Sequence, residues 1–263
     1  MARLTSPPGL SSALEVTTVG TGTCVPRLDR GGPCVLVRAP GACLAVDLGL
    51  GSLHGLLRSG VAHRDLDGVF LSHLHPDHVA ELASLLFASN YDDEPRCRPL
   101  ILAGGPGLGD FLGGLSGAFG TWLQPREYDL DLREVAPGGE AALGELRCRA
   151  GAVRHLPSSL AWRFERGGRS AVVSGDTGPS PELEDFARGA DLLVLEASLP
   201  PSAEMAAHLT ARQAGELARR AGVGRLVLTH FYPAAEAVDP AVFAAEAFGR
   251  AVVVATDGAR FEV

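Results

Sequence analysis

Short apolar runs, each cut off by glycine, proline or a polar turn, recur along the chain and predict strands; apolar residues spaced three and four apart predict helices between them. Residues 14–20 alternate as a first strand and end in Gly20-Thr21-Gly22-Thr23. Residues 35–38 and 43–47 read as a hairpin through Pro40-Gly41, residues 52–59 as a helix, and residues 68–71 as a buried strand that stops at Ser72-His73. Residues 76–89 begin with proline and place Val79, Leu82, Ala83, Leu86 and Phe87 on one face, which predicts a helix. Residues 100–103 form another strand, and residues 104–120, with eight glycines, predict a loop holding a short helix. Strands follow at 145–150, 160–166 and 170–174, the last two joined through Arg166-Gly167-Gly168-Arg169. Strands at 191–196, 226–229, 252–255 and 260–263 share the remainder with helices at 210–221 and 241–248.

Strands dominate the first and third quarters of the 263 residues, helices lie between them, and no fixed-period repeat or low-complexity linker divides the chain. The expectation is one layered α/β domain over residues 1–263, with residues 1–12 as a flexible, proline-containing lead-in. A chain of this length buries roughly 75% of its unfolded surface, so it needs no disulfide staples. Its five cysteines (Cys24, Cys34, Cys43, Cys97, Cys148) are odd in number and lack CxxC spacing. That disfavours a disulfide framework or a zinc ribbon and points to a reducing compartment. No charge-free apolar run reaches the ~18 residues of a membrane span, and the N-terminus lacks the apolar core of a secretory signal. A cytoplasmic protein with no membrane partner is expected.

Composition removes further classes. The formal charge is −8, from 23 basic and 31 acidic side chains, and every basic residue is an arginine. Without lysine there is no phosphate-loop lysine, kinase strand lysine, Schiff base or pyridoxal anchor. The acidic balance argues against a broad nucleic-acid surface. The eight histidines are the only side chains whose unperturbed charge changes near neutrality, and their placement decides the chemistry.

Four metal-competent groups fall within His73-Leu74-His75-Pro76-Asp77-His78. His73 and His75, two apart in an extended segment, point the same way, and Pro76 starts a helix whose first turn brings Asp77 and His78 into the same space. Neutral imidazoles and carboxylates converging within ~2.0–2.2 Å suit divalent cations, and this many groups can serve two. The competing reading is a polar turn rich in histidine, but a helix N-terminus is a poor place for extra positive charge. His155, Asp176 and His230 each fall just beyond a strand-like run, where an α/β layer gathers functional groups. The glycines of Ser174-Gly175-Asp176-Thr177-Gly178 let the backbone approach an ion closely. Each of these three alone reads more simply as a structural polar residue; with the first cluster they complete two ligand sets. His54 and His63 have no motif around them and read as bystanders, and the glycine-rich run at 104–109 lacks the Lys-Ser/Thr of a nucleotide loop.

With these motifs the chain resembles the metallo-β-lactamase superfamily, and within it the ribonuclease Z-like branch, over nearly its whole length. Residues 73–78 match the signature HxHxDH completely. Residues 19–26 look like that branch's opening loop, Val46-Asp47-Leu48-Gly49 like its first aspartate, Leu228-Thr229-His230-Phe231 like its last metal histidine, and Asp257-Gly258 like its closing turn. The resemblance implies a four-layer αβ/βα sandwich, two mixed sheets face to face with metals at one rim. It implies that His73, His75 and His155 hold one zinc, that Asp77, His78 and His230 hold a second, and that Asp176 bridges them; manganese or iron can also occupy such sites. Two ions about 3.5–4 Å apart lower the pKa of a bridging water and clamp both oxygens of an in-line displacement. Asp77 is also expected to orient that hydroxide. Asp47 is expected either to fix a ligand's orientation or simply to cap a strand end. Glu196-Ala197-Ser198 and His208-Leu209-Thr210 resemble the branch's paired Glu and His, which support proton donation to a departing alkoxide. A surface residue near a helix start is the plainer reading of His208.

The resemblance has a limit. Members that trim tRNA carry a long flexible arm between the equivalents of His155 and Asp176, whereas here 20 residues, read as a plain hairpin, separate them. Affinity for structured RNA rests on phosphate neutralisation, so net acidity disfavours extended nucleic-acid binding. The expectation is a binuclear metal-dependent hydrolase acting on a small or cyclic nucleotide-type phosphodiester. The alternative is a tRNA 3′-processing endonuclease of the ribonuclease Z kind. A lactone, thioester or sulfate-ester hydrolase would use the same metals without needing Glu196 and His208. A diiron oxidoreductase of this fold replaces the second histidine with glutamate, and this chain keeps His75; a non-catalytic metal-binding protein would have lost ligands, and all seven are present. The sequence is compatible with a homodimer and gives it little support.

Overall fold

Valine, leucine and alanine fill most strands almost without interruption, the composition of strands covered on both faces. The computed structural model describes residues 14–203 and 205–263, so the expected lead-in over residues 1–12 lies outside the described residues. One sheet contains, side by side, β1 (Glu15–Gly20), β2 (Cys34–Ala39), β3 (Ala42–Val46), β4 (Gly68–Phe70), β5 (Leu100–Gly104) and β6 (Leu130–Glu134). The other runs through β7 (Glu140–Leu143), β8 (Leu146–Ala152), β9 (Leu160–Arg166), β10 (Arg169–Val173), β11 (Leu192–Glu196), β12 (Arg225–Thr229) and β13 (Val253–Val254). The last strand, β14 (Ala259–Glu262), returns to the first sheet and pairs with β1. Both sheets are mixed: β3 to β6 and β10 to β13 are parallel, and the other neighbours are antiparallel.

The facing sheet surfaces bury a common core in which Phe70 meets Trp162 edge-on at 4.9 Å and the indole donates to the Leu71 carbonyl at 3.1 Å. Helices α1 (Ser52–Arg58), α2 (Pro76–Val79), α3 (Leu82–Tyr91) and α4 (Leu108–Phe119) cover the outer face of the first sheet, around Leu56, Leu85 and Leu108. Helices α5 (Pro181–Phe186), α6 (Ala211–Ala221) and α7 (Pro240–Phe248) cover the second, around Leu183, Leu217 and Phe248. The result is a four-layer αβ/βα sandwich. None of the helices among the described residues is long and apolar enough to cross a membrane.

Three local expectations change. The helix expected over 76–89 is two helices, broken at Ala80-Glu81, because Glu81 is drawn away to serve α1: its carboxylate accepts from the Gly51 and Leu53 amides at 2.7 Å each. Its own amide donates to the Leu48 carbonyl. Residues 108–119 form a twelve-residue helix, longer than the short helix within a loop that was expected there, started by Gly107 in the left-handed conformation at φ 95°. Strands β6 and β7 and helix α5 were not anticipated; β6 reads Leu-Asp-Leu-Arg-Glu, a sheet edge too polar to stand out as a strand.

The site follows from the parallel strands. β3, β4, β10, β11 and β12 end at the same rim, and their C-terminal ends lead into Asp47, His73, Asp176, Glu196 and His230.

Candidate metal centre

Four chain segments bring seven side chains together in two sets. After β4 the chain stays extended through Ser72–His75, so His73 Nε2 comes within 3.0 Å of His75 Nδ1. His155, beyond β8, brings its Nε2 to 3.2 Å from the same His75 nitrogen. Pro76 opens α2, whose single turn presents Asp77 and His78 to the other set. There, His78 Nε2 and His230 Nε2 lie 3.3 and 3.4 Å from Asp176 Oδ1, and His230 Nε2 lies 3.6 Å from Asp77 Oδ2. The second Asp176 oxygen faces the first set, 3.7 Å from His73 Nε2 and 4.0 Å from His155 Nε2. One carboxylate thus addresses both groups.

The glycines flanking Asp176 explain how it reaches this position. Gly175 adopts φ 60°, and a Cβ there would meet Ser72 Cβ at 2.4 Å; a Cβ on Gly178 would meet the Ala206 carbonyl oxygen at 1.8 Å. The loop is therefore wedged between the segment carrying His73 and the segment leading to His208. Among the described non-glycine residues only Asp47 and His230 have positive φ, at 62° and 60°. Both belong to the site, where such strain is held by surrounding contacts.

Hydrogen bonds on the far sides of the rings fix which nitrogen is bare. His155 Nδ1 donates to the Ala207 carbonyl at 3.2 Å, and His78 Nδ1 to Asp47 at 2.8 Å. Ser198 donates to Glu196 at 2.5 Å and so accepts from His230 Nδ1 at 2.8 Å. Ser72 likewise donates to Asp47 at 2.7 Å and accepts from His73 Nδ1 at 3.0 Å. In each neutral ring Nε2 is then an acceptor aimed inward. His78 Nε2, His230 Nε2 and Asp176 Oδ1 are buried with no hydrogen-bond partner. Converging acceptors without a donor are matched by cations, and imidazole with carboxylate is a donor set suited to zinc and its first-row neighbours. The cluster fits two metal ions.

Protonation in the ion-free chain reflects the same demand. Burial opposes the His78 cation, yet Asp176 and Asp47 raise its pKa well above the ordinary value. Burial pushes His73 down to about 2, with His78 adding to the effect. Burial also opposes ionisation of Asp176, but the imidazoles of His230 and His78 hold its carboxyl well below the usual carboxylate range. Burial also opposes ionisation of Asp77, but the nearby imidazoles of His230 and His78 outweigh it and hold its pKa at about 2.

Beside the cluster, His208 Nδ1 donates to Glu196 at 2.9 Å and lies 4.0 Å from Asp176. Glu196 is fully buried and also accepts from the Thr177, Ser198 and Leu209 amides. Burial lowers the His208 pKa, but the bond to Glu196 and its charge outweigh it and leave the value raised. Asp47 reaches the same neighbourhood through Ser72 and His78. Ser72 and Ser198 were not anticipated; their one sequence signal is adjacency to a motif residue, which so common a residue type does not make specific. His54 and His63 lie away from the cluster, His54 exposed on α1 and His63 beside Asp92 at 3.4 Å.

Comparison with known proteins agrees with this geometry. A family model described as the beta-lactamase superfamily domain matches residues 50–231. The chain belongs to the metallo-β-lactamase superfamily. Within it, the chain falls in the ribonuclease Z-like branch. It is 35% identical to Ribonuclease Z from Mycobacterium marinum, over 95% of this chain and 99% of that protein. Ribonuclease Z from Mycobacterium bovis is also 35% identical, over 84% of this chain and 87% of its own. Solved structures share the fold. The metallo-beta-lactamase fold protein YhfI from Bacillus subtilis superimposes with a TM-score of 0.82 at 24% identity, covering 96% of this chain and all of that one. The short form of human tRNase Z gives 0.76 at 23% identity, covering 94% and 98%. This superfamily member is a metal-dependent hydrolase.

Proposed function

We propose that this chain is a phosphodiesterase that cleaves RNA in the manner of its ribonuclease Z relatives. The observation that carries the reading is the Glu196–His208 pair, 2.9 Å apart and beside the metal cluster. A departing RNA alkoxide needs a proton, and an imidazolium held by a buried carboxylate is suited to supply it. His73, His75 and His155 would hold one ion, Asp77, His78 and His230 the other, with Asp176 shared. Bound there, the ions supply Lewis-acid activation of water and charge stabilisation of the phosphoryl oxygens. The chain's own part is orientation. Ser72, Asp47, Ala207 and Ser198 fix the imidazole tautomers, Asp77 holds a carboxylate at the reaction edge, and Glu196 accepts from His208 Nδ1 and so holds that ring beside the cluster. Relatives of this name at 35% identity over most of the chain support an RNA substrate over the small substrate favoured by net charge and by the short His155–Asp176 connection.

A second reading, a small or cyclic nucleotide phosphodiester, is supported by the β9–β10 hairpin. Gly167 and Gly168, both at positive φ, close it in two residues, so no arm for gripping tRNA extends between His155 and Asp176. The test is a substrate panel on protein of measured metal content: precursor tRNA with a 3′ trailer, bis(p-nitrophenyl) phosphate, and 2′,3′- and 3′,5′-cyclic nucleotides. Removal of the trailer is expected. Turnover of the small substrates alone selects the second reading, and turnover of none refutes both.

A further inference from the structure

Next to Asp77 a cleft of about 450 Å³ opens between the loop after β1 and the start of α1. Its charged groups are nearly all committed elsewhere. Arg27 and Arg30 both pair with Glu236, and Arg27 also with Asp29. Asp257 accepts from the Thr21 and Gly31 amides at 3.0 and 2.6 Å, and Asp77 faces His230. The exception is Arg58, at the C-terminal end of α1: among the described residues it has no ion-pair or hydrogen-bond partner, and its side chain lines the cleft.

The apolar part of the lining is exposed. Leu28 is fully exposed at the tip of the loop, with Val25 and Leu50 exposed beside it. The loop is clamped at Arg27 and Arg30 through Glu236 and at Gly31 through Asp257, so Leu28 is presented by a braced segment. A clamped apolar wall, one uncommitted guanidinium and the metal-side carboxylate Asp77 share a single cavity.

We propose that this cleft is the subsite for the nucleotide adjoining the scissile phosphodiester, with Arg58 taking that nucleotide's outer phosphate and Val25, Leu28 and Leu50 taking its base. The assignment rests on the phosphodiesterase reading and specifies a substrate with a second phosphate one nucleotide from the cut. A guanidinium matches a phosphate through two parallel N–H donors, and an apolar wall accepts any base face. The cleft volume lies within the range of small-ligand sites.

The test compares dinucleotides having one internal phosphodiester, either unmodified or carrying a terminal 5′- or 3′-phosphate. With the metal-loaded wild type, one phosphorylated form should show a KM about tenfold below that of the unmodified form. Arg58→Gln should reduce that ratio to near one, and Arg58→Lys should restore part of it. Leu28→Ser should raise KM for both forms a few-fold with little change in the ratio. No preference in the wild type, or a preference that survives Arg58→Gln, overturns the proposal. Fluorescence anisotropy with the same labelled dinucleotides reads the subsite without cleavage. If no phosphodiester is turned over but Arg58→Gln abolishes preferential binding of the phosphorylated form, the cleft assignment stands and the reaction assigned to the site falls. Equal binding by both proteins removes the subsite.

Discussion

Asp47→Asn removes one charge and turns one hydrogen-bond acceptor into a donor while leaving the side chain's shape unchanged. The backbone there sits at φ 62°, which asparagine tolerates as readily as aspartate, so the substitution adds no strain. Asp47 Oδ1 accepts from the Ser72 amide at 2.7 Å, a donor that only an acceptor can satisfy, so the amide oxygen of asparagine stays on that side. Its NH₂ then replaces Oδ2, 2.7 Å from the Ser72 hydroxyl and 2.8 Å from His78 Nδ1. Two donors would face each other at His78. The clash is relieved when the His78 proton moves to Nε2, the atom that faces Asp176 and otherwise offers a lone pair to an ion. Groups that orient a ligand in this way typically account for about 10–100-fold in metal affinity, so an ion at the proposed Asp77, His78 and His230 site should bind more weakly by that factor. The other ion should weaken less, because the Ser72 hydroxyl can rotate and still accept from His73. Loss of a buried charge-assisted hydrogen bond should cost the ion-free chain about 1–3 kcal/mol. Zinc titration against a chromophoric chelator resolves the two affinities, and urea unfolding of the stripped protein gives the stability. Two wild-type affinities in Asp47→Asn would refute the tautomer argument.

Glu196→Gln should lower kcat on a bis-aryl phosphodiester and move the alkaline limb of the rate profile to lower pH. Glu196 is what raises the His208 pKa, so without it the imidazolium is lost at a lower pH; an unmoved limb would show that His208 is not the acid. Arg96→Met should lower Tm by roughly 10 °C while metal content stays constant. The Arg96 guanidinium is buried and donates to the carbonyls of Arg98, Leu66 and Pro99, each of which would lose a partner worth about 1 kcal/mol or more. An unchanged melting curve would show that water replaces those bonds.

How much of this could be read in advance depends on the range of the cause. His73, His75, Asp77 and His78 were legible because four groups in six residues are arranged by local geometry alone: an extended pair, then a proline-started turn. His155, Asp176 and His230 lie far apart in sequence and became legible through their address just after strands. Ser72 and Ser198 were not legible, since a serine's importance here lies in which lone pair and which proton it offers to a histidine. The break at Ala80-Glu81 was hidden because the partners that draw Glu81 away are the Gly51 and Leu53 amides, about thirty residues upstream. In α4 the glycines weaken intrinsic helix propensity, and packing of Leu108 against the first sheet overrides it.

Net charge was the weakest guide, and the reason bears on how this protein would hold RNA. A total of −8 sums groups that cancel locally. Glu236 and Asp29 together balance Arg27 and Arg30, and Glu165 pairs with both Arg149 and Arg163 and balances one of those two charges, so all four guanidiniums are already engaged by carboxylates. What a strand meets at the cleft is the uncommitted remainder, Arg58, together with whatever charge the bound ions leave unbalanced. Each phosphate neutralised on a single strand contributes a slope of about −0.7 to log K against log salt concentration. A cleft with one free arginine should therefore give a slope of about −0.7 for a short single-stranded RNA at constant metal content, falling toward zero in Arg58→Gln. A wild-type slope several times steeper would mean that the strand is gripped by an arginine surface outside the cleft, and the charge balance of that surface, rather than the rim, would then set affinity.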